Sequence, residues 1–186
     1  SGEIEAYTAY NPPQLPDSLS FYPSKDQKLG HYCEDLLAGA LRENTNVSLR
    51  AQGLQIIEDG HTLGELDFLI EDAEGLRHIE LAYKLYLQVK IGDQIHWLGP
   101  NARDRLALKM ETLSKKQLAL GMRTETELRL QNMGLPKIRS SHFILLGQLF
   151  TRPDEAVLDS KINPEAQVGY WYYLEELQAQ FSTSKF

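Results

Sequence analysis

Asp67 and Glu80 are two carboxylates set in strongly apolar sequence, within LDFLI and HIELAY, and Lys84 follows the second at a distance of four residues. Ionised carboxylates are almost never fully buried without a partner. A pair of them in a core hairpin points either to a bound divalent metal or to a structural ion pair with Lys84 or Arg77. Lys84 adds a third reactive group. Glu34, earlier in the chain, is a further carboxylate at the border of an apolar stripe, where it can reach such a site or serve as an ordinary surface charge.

The element that positions the pair is the stretch from Gly64 to Leu87, which reads as two strands and a tight turn. The first strand runs from Glu65 to Ile70 and ends in the polar turn Glu71-Asp72-Ala73-Glu74-Gly75. The second runs from Leu76 to about Gln88. Strand side chains alternate faces, so Glu65, Asp67 and Leu69 share one face and Leu66, Phe68 and Ile70 the other. On the second strand His78, Glu80, Ala82 and Lys84 share a face, opposite Ile79, Leu81, Tyr83 and Leu85.

The remaining elements follow from period and punctuation. Residues 1–23 carry Pro12, Pro13, Pro16 and Pro23 and form an extended lead-in, with Phe21 and Tyr22 able to pin it. Ser24 and Gln27 form a capping-box pattern, and Leu29, Cys33, Leu36, Leu37, Ala40 and Leu41 recur at helical spacing until about Glu43. Val47 to Glu58 reads as a strand closed by Asp59-Gly60. Gly92-Asp93 and a short strand, Gln94 to Leu98, follow the hairpin. Asn101 and Asp104 cap a helix with Leu106, Met110, Leu113, Gln117 and Leu120 along one side and Gly121 at its end. A polar helix spans Thr124 to Asn132, and His142 to Phe150 is a core strand. Residues 151–167 are loop, Gly169 to Leu174 a last strand and Glu175 to Phe181 a short terminal helix. The expected fold is therefore α/β, a central mixed β-sheet flanked by helices, with residues 24–186 as one domain.

Composition narrows the function class. The chain has 186 residues, 42% hydrophobic and 24% charged, with a formal net charge of −7, an ordinary globular composition. That charge counts against a broad nucleic-acid-coating surface but leaves room for a local basic groove. The stretch from Arg103 to Arg139 is the candidate, unless it is a solvated helix face. The single cysteine, Cys33, forms no internal disulfide and no zinc cluster and suits a reducing cytoplasm as a small buried hydrophobe. No apolar run is long enough for a membrane span, and no signal-peptide pattern is present. The Ser1-Gly2 start reads as a tag remnant on a trimmed chain. A nucleophilic Ser or Cys hydrolase finds no motif. The run Tyr170-Trp171-Tyr172-Tyr173 could stack bases, though packing is its ordinary use. Nothing shows a dimer surface.

Gly64-Glu65-Leu66-Asp67, a turn, and an apolar-Glu-apolar strand carrying a lysine together resemble the PD-(D/E)XK nuclease superfamily, as does the order Glu34 on a first helix, Asp67, Glu80, then the helix from Arg103. More narrowly, His78 to Leu87 with Trp97 to Asp104 resembles the bacterial domain-of-unknown-function family 1853, over most of the chain. The resemblance implies a restriction-endonuclease-like core and a metal-dependent nuclease cutting DNA or RNA. Asp67 and Glu80 would bind magnesium, or manganese in its place, with the Leu81 carbonyl as a further ligand, and Glu34 would hold a second ion or a metal-bound water. Such an ion polarises the phosphate and lowers the pKa of an attacking water. The departure is the lysine: the superfamily has Glu-x-Lys, whereas Ala82 stands two after Glu80. At roughly 3.3 Å per residue, Lys84 lies about 13 Å along the strand instead of about 7 Å. A bulge could shorten the gap, or Lys109 or Lys116 could supply the amine. The displaced lysine and acidic charge fit a second expectation, a catalytically silent nuclease-fold module that binds nucleic acid or a protein partner.

Overall fold

A computed structural model describes residues 28–155, 162 and 168–183. The lead-in of residues 1–23, the Ser24/Gln27 capping box and most of the 151–167 loop lie outside the described residues. In chain order the elements are α1 (Leu29–Glu43), β1 (Ser48–Glu58), β2 (His61–Asp72), β3 (Gly75–Ile91), β4 (Gln94–Leu98), α2 (Leu106–Thr112), a π-helical turn (Leu113–Gln117), α3 (Leu118–Leu120), α4 (Thr124–Asn132), β5 (Ser140–Thr151), β6 (Val168–Tyr170) and α5 (Leu174–Thr183). The strands form one mixed sheet in the order β1-β2-β3-β5-β6, with β4 paired to β3. The β1/β2, β2/β3 and β3/β4 pairs are antiparallel and β5/β6 is parallel. This is the expected α/β class, a mixed sheet with flanking helices.

The chain divides into two compact units, one of Ser1–Tyr83 with Thr112–Leu145 and one of Lys84–Glu111 with Leu146–Phe186. In the first, both sheet faces are covered. On one side Phe68, Ile70, Ile79 and Leu81 pack with Ala38 and Leu41 of α1. On the other, Leu54, Ile56, Leu66, Leu69 and Leu76 pack with Leu120, Leu130, Leu135 and Ile138. Covering on both faces explains why Leu76 and every residue from His78 to Ala82 are buried in unbroken succession. Leu66 packs with Leu69 rather than with the expected Phe68 and Ile70.

The hairpin is longer than its apolar run, because the paired ends carry polar residues that satisfy the ladder without entering the core. Phe68 pairs with Ile79 and Asp72 with Gly75. Gly75 adopts φ +122°, a conformation that a residue with a Cβ strongly resists, and the Asp72 carboxylate accepts the Glu74 N–H at 2.8 Å. On α1 the buried positions are Ala38, Ala40 and Leu41. Leu29, expected in the stripe, is 51% exposed because it stands at the first residue of the helix.

The second unit takes Leu87 to Ile91 of β3 into register with β4 and Leu149 to Thr151 of β5 with β6. Strand β6 is only three residues long; the Trp171 backbone N–H still donates to the Thr151 carbonyl at 2.9 Å and its indole N–H donates to the Gln88 carbonyl at 3.0 Å, and the expected strand through Leu174 ends there. Arg152 packs against the residues that follow β6. Its guanidinium lies 5.1 Å from the Trp171 ring and 5.2 Å from the Tyr173 ring and grips Glu176 with both terminal nitrogens.

Candidate functional site

The two carboxylates come together where the β2/β3 ladder ends. Its last rung is Phe68↔Ile79, and Asp67 and Glu80 are the next residues on their strands. There the Leu81 N–H is taken by the Asp67 side chain, to Oδ2 at 2.8 Å. A carboxylate has replaced a backbone carbonyl as the strand's acceptor, which ties Asp67 to β3 and satisfies a donor that burial would otherwise leave expensive.

Glu80 is wholly buried. Its Oε1 lies 2.6 Å from His78 Nε2 and its Oε2 accepts the Gln117 amide at 2.9 Å. His78, also wholly buried, reaches Ser141 Oγ with its other nitrogen, Nδ1, at 3.3 Å. A carboxylate offers only lone pairs, so Nε2 carries the hydrogen and, in the neutral ring, Nδ1 accepts from the hydroxyl. Ser141, His78, Glu80 and Gln117 thus form one chain of hydrogen bonds.

The Asp67 carboxyl is pushed up to about 7. Burial is the first cause and the neighbouring Glu80 the second; the Leu81 N–H pulls the other way, and Glu34 and Glu65 add further upward pressure. Carboxylates of α1, β2 and β3 therefore act on one point. Glu34 is half-buried and its Oε2 lies 3.3 Å from His31 Nδ1. Glu65 is exposed.

Lys84 belongs to the second unit, where its amine donates to Asp104 Oδ2 at 2.5 Å; Tyr86 donates to Oδ1 of the same carboxylate at 3.3 Å. Asp104, expected to cap the following helix, is drawn off by these two donors, and α2 starts only at Leu106. Among the described residues, the two cations considered as structural ion-pair partners for Asp67 and Glu80 are paired with other carboxylates. Lys84 is engaged with Asp104, and Arg77 bonds Asp72 and Glu74.

Magnesium takes a few carboxylate oxygens and keeps several waters. The oxygen chemistry of Asp67, Glu80, Glu34 and the Leu81 carbonyl suits such an ion, but the placement does not. Both oxygens of Glu80 are engaged and out of solvent. No group of three or more His, Cys, Asp or Glu among the described residues is placed to hold a metal ion. As arranged, these residues do not fit the metal.

A family model for a domain of unknown function, DUF1853, matches residues 7–186, and the chain belongs to that family. No curated protein and no solved structure matches it.

Proposed function

We propose that this DUF1853 chain is a catalytically silent module of the PD-(D/E)XK type, which acts by binding and not by phosphodiester hydrolysis. The observation that carries this reading is Glu80, buried with both carboxylate oxygens spent on His78 and Gln117. The pairing of Lys84 with Asp104 supports it, because an amine held by a carboxylate is not free to assist a phosphate.

A protein is the partner that the charge supports. The chain carries a net −7, and several basic side chains of the first unit are answered internally: Arg77 by Asp72 and Glu74, Arg50 by Glu71, and Lys137 by Glu127. Phosphate recognition needs basic groups left over. Among the described residues no helix is long and apolar enough to cross a membrane, and the lone cysteine suits a cytoplasmic setting.

The test is incubation of the protein with labelled single- and double-stranded DNA and RNA in magnesium or manganese. The expected result is neither cleavage nor retardation at physiological salt. Cleavage that disappears in Asp67→Asn and Glu80→Gln overturns the proposal.

One observation favours the alternative, an active magnesium- or manganese-dependent nuclease. Glu80, Glu34 and Glu65 all raise the Asp67 carboxyl, and like charge gathered at one point is what a divalent cation relieves. On that reading Asp67, Glu80, Glu34 and the Leu81 carbonyl hold the ion and Lys84 serves the reaction; the same assay decides between them.

A further inference from the structure

We propose that His78 and Gln117 are positioning residues which hold the Glu80 carboxylate closed, and that releasing either one opens a divalent-cation site at Asp67 and Glu80. This rests on the silent reading above and supplies its cause.

The two sides of the acidic centre are not equally tied. Asp67 is half-buried, and among the described residues its carboxylate accepts the Leu81 N–H at Oδ2. Glu80 has no exposed surface and a donor on each oxygen. A hydrated cation arriving at this point finds one carboxylate within reach and the other enclosed.

The two donors are built in with some care. His78 is fixed from behind by Ser141, and the backbone of Gly121 passes over that bond. A Cβ on Gly121 would stand 3.0 Å from both His78 Nδ1 and Ser141 Oγ, so a glycine there lets the chain close on the imidazole. Gln117 is the last residue of the π-helical turn Leu113–Gln117. A π turn is rare in helices and is frequently found at functional sites. A one-residue shift in helical register turns a side chain by roughly 100°, and here it brings a neutral amide onto Glu80. Gln117 is half-buried, on the boundary between this enclosure and solvent. Its removal frees Oε2 and leaves space for the waters a divalent ion retains.

The experiment is manganese titration of the full chain, followed by calorimetry and by loss of the free-ion electron paramagnetic resonance signal. Wild type is compared with Gln117→Ala and His78→Asn, each alone and with Glu80→Gln. Circular dichroism establishes that every variant is folded. Wild type is expected to show no saturable binding at millimolar manganese. Gln117→Ala should gain at least about tenfold in affinity, the scale on which groups behind metal ligands act, and Glu80→Gln should abolish the gain. If both single variants fold and bind no better than wild type, or if the gain survives Glu80→Gln, the closure is overturned while the silent reading stands. Glu80-dependent binding by wild type overturns both.

Discussion

His78 Nε2 and Glu80 Oε1 lie 2.6 Å apart, and neither side chain has any exposure to solvent. The two residues alternate onto the same face of β3, so the strand itself delivers them as a pair. Removing charged or polar groups from water is costly, and the cost is recovered only when every lone pair and hydrogen finds a partner. Here Gln117 and Ser141 complete the set. The network is satisfied along its length, which makes each member expensive to remove.

Glu80→Ala is therefore expected to lose about 3–5 kcal/mol of stability, because it takes the Glu80 acceptor from a buried imidazole and a half-buried amide. Glu80→Gln should lose less, about 1–3 kcal/mol: its carbonyl can still accept from His78, but its NH2 meets the Gln117 NH2 unless that amide flips. Urea unfolding of the three proteins checks the order. Equal losses would show that neither the cavity nor the missing acceptor of Glu80→Ala costs more than the mispaired amide of Glu80→Gln.

Asp67 gives a pH dependence of definite sign. Its carboxyl rises from 3.8 to about 7 in the folded chain, first through burial and then through Glu80. The folded state consequently holds a proton that the unfolded state releases near its ordinary value. Stability contributed by the protonated group is full below that value and is lost as pH rises toward 7. Asp67→Asn, which keeps an oxygen for the Leu81 N–H, should flatten the slope between pH 4 and 7. Chemical denaturation across that range reads it, and an unchanged slope would place the responsible group elsewhere.

Much of this arrangement was legible in the sequence, and the remainder fails for identifiable reasons. Alternation along HIELAYK placed His78 and Glu80 on one face, and apolar context marked Asp67 and Glu80 as carboxylates needing an answer. Hairpin, helix α4 and strand β5 follow from local period and turn residues. The answer itself was not legible. Ser141 is 63 residues from His78 and Gln117 is 37 from Glu80, so sheet order and helix packing alone bring them in. Asp104 had the spacing of a helix cap, yet the Lys84 amine and Tyr86 hydroxyl compete for the same carboxylate and win it. The π turn leaves no mark in a pattern of apolar residues, since Leu113 and Leu120 stay buried on either side of it.

Two glycines separate a yielding neighbour from an unyielding one. A Cβ on Gly64 would stand 2.7 Å from Leu120 Cδ2, and one on Gly147 would stand 2.6 Å from the Lys84 carbonyl oxygen. Leu120 can change rotamer, whereas the carbonyl is part of the strand backbone and can move only with β3. Gly64→Ala is expected to cost about 1–2 kcal/mol and Gly147→Ala about 3 kcal/mol or more. Thermal melts of both variants give the ranking, and the reverse order would mean that β5 shifts more readily than Leu120 repacks.

The pairing of Lys84 with Asp104 predicts a coupling that a double-mutant cycle can isolate. Side-chain exposures of 34% and 26% put the pair between a surface bridge and a buried one. Its coupling should therefore be about 1 kcal/mol, at the upper end for exposed pairs. Asp104→Ala should lose more than Lys84→Ala, since it also strips the acceptor from the Tyr86 hydroxyl, whose ionisation is already held far above the usual tyrosine range by burial and by Asp104. In the double variant the loss should fall short of the sum of the singles by the coupling energy. Additive losses would show that the amine is not held by Asp104 in solution. That would return Lys84 to the pool of groups able to meet a phosphate and remove one support of the silent reading.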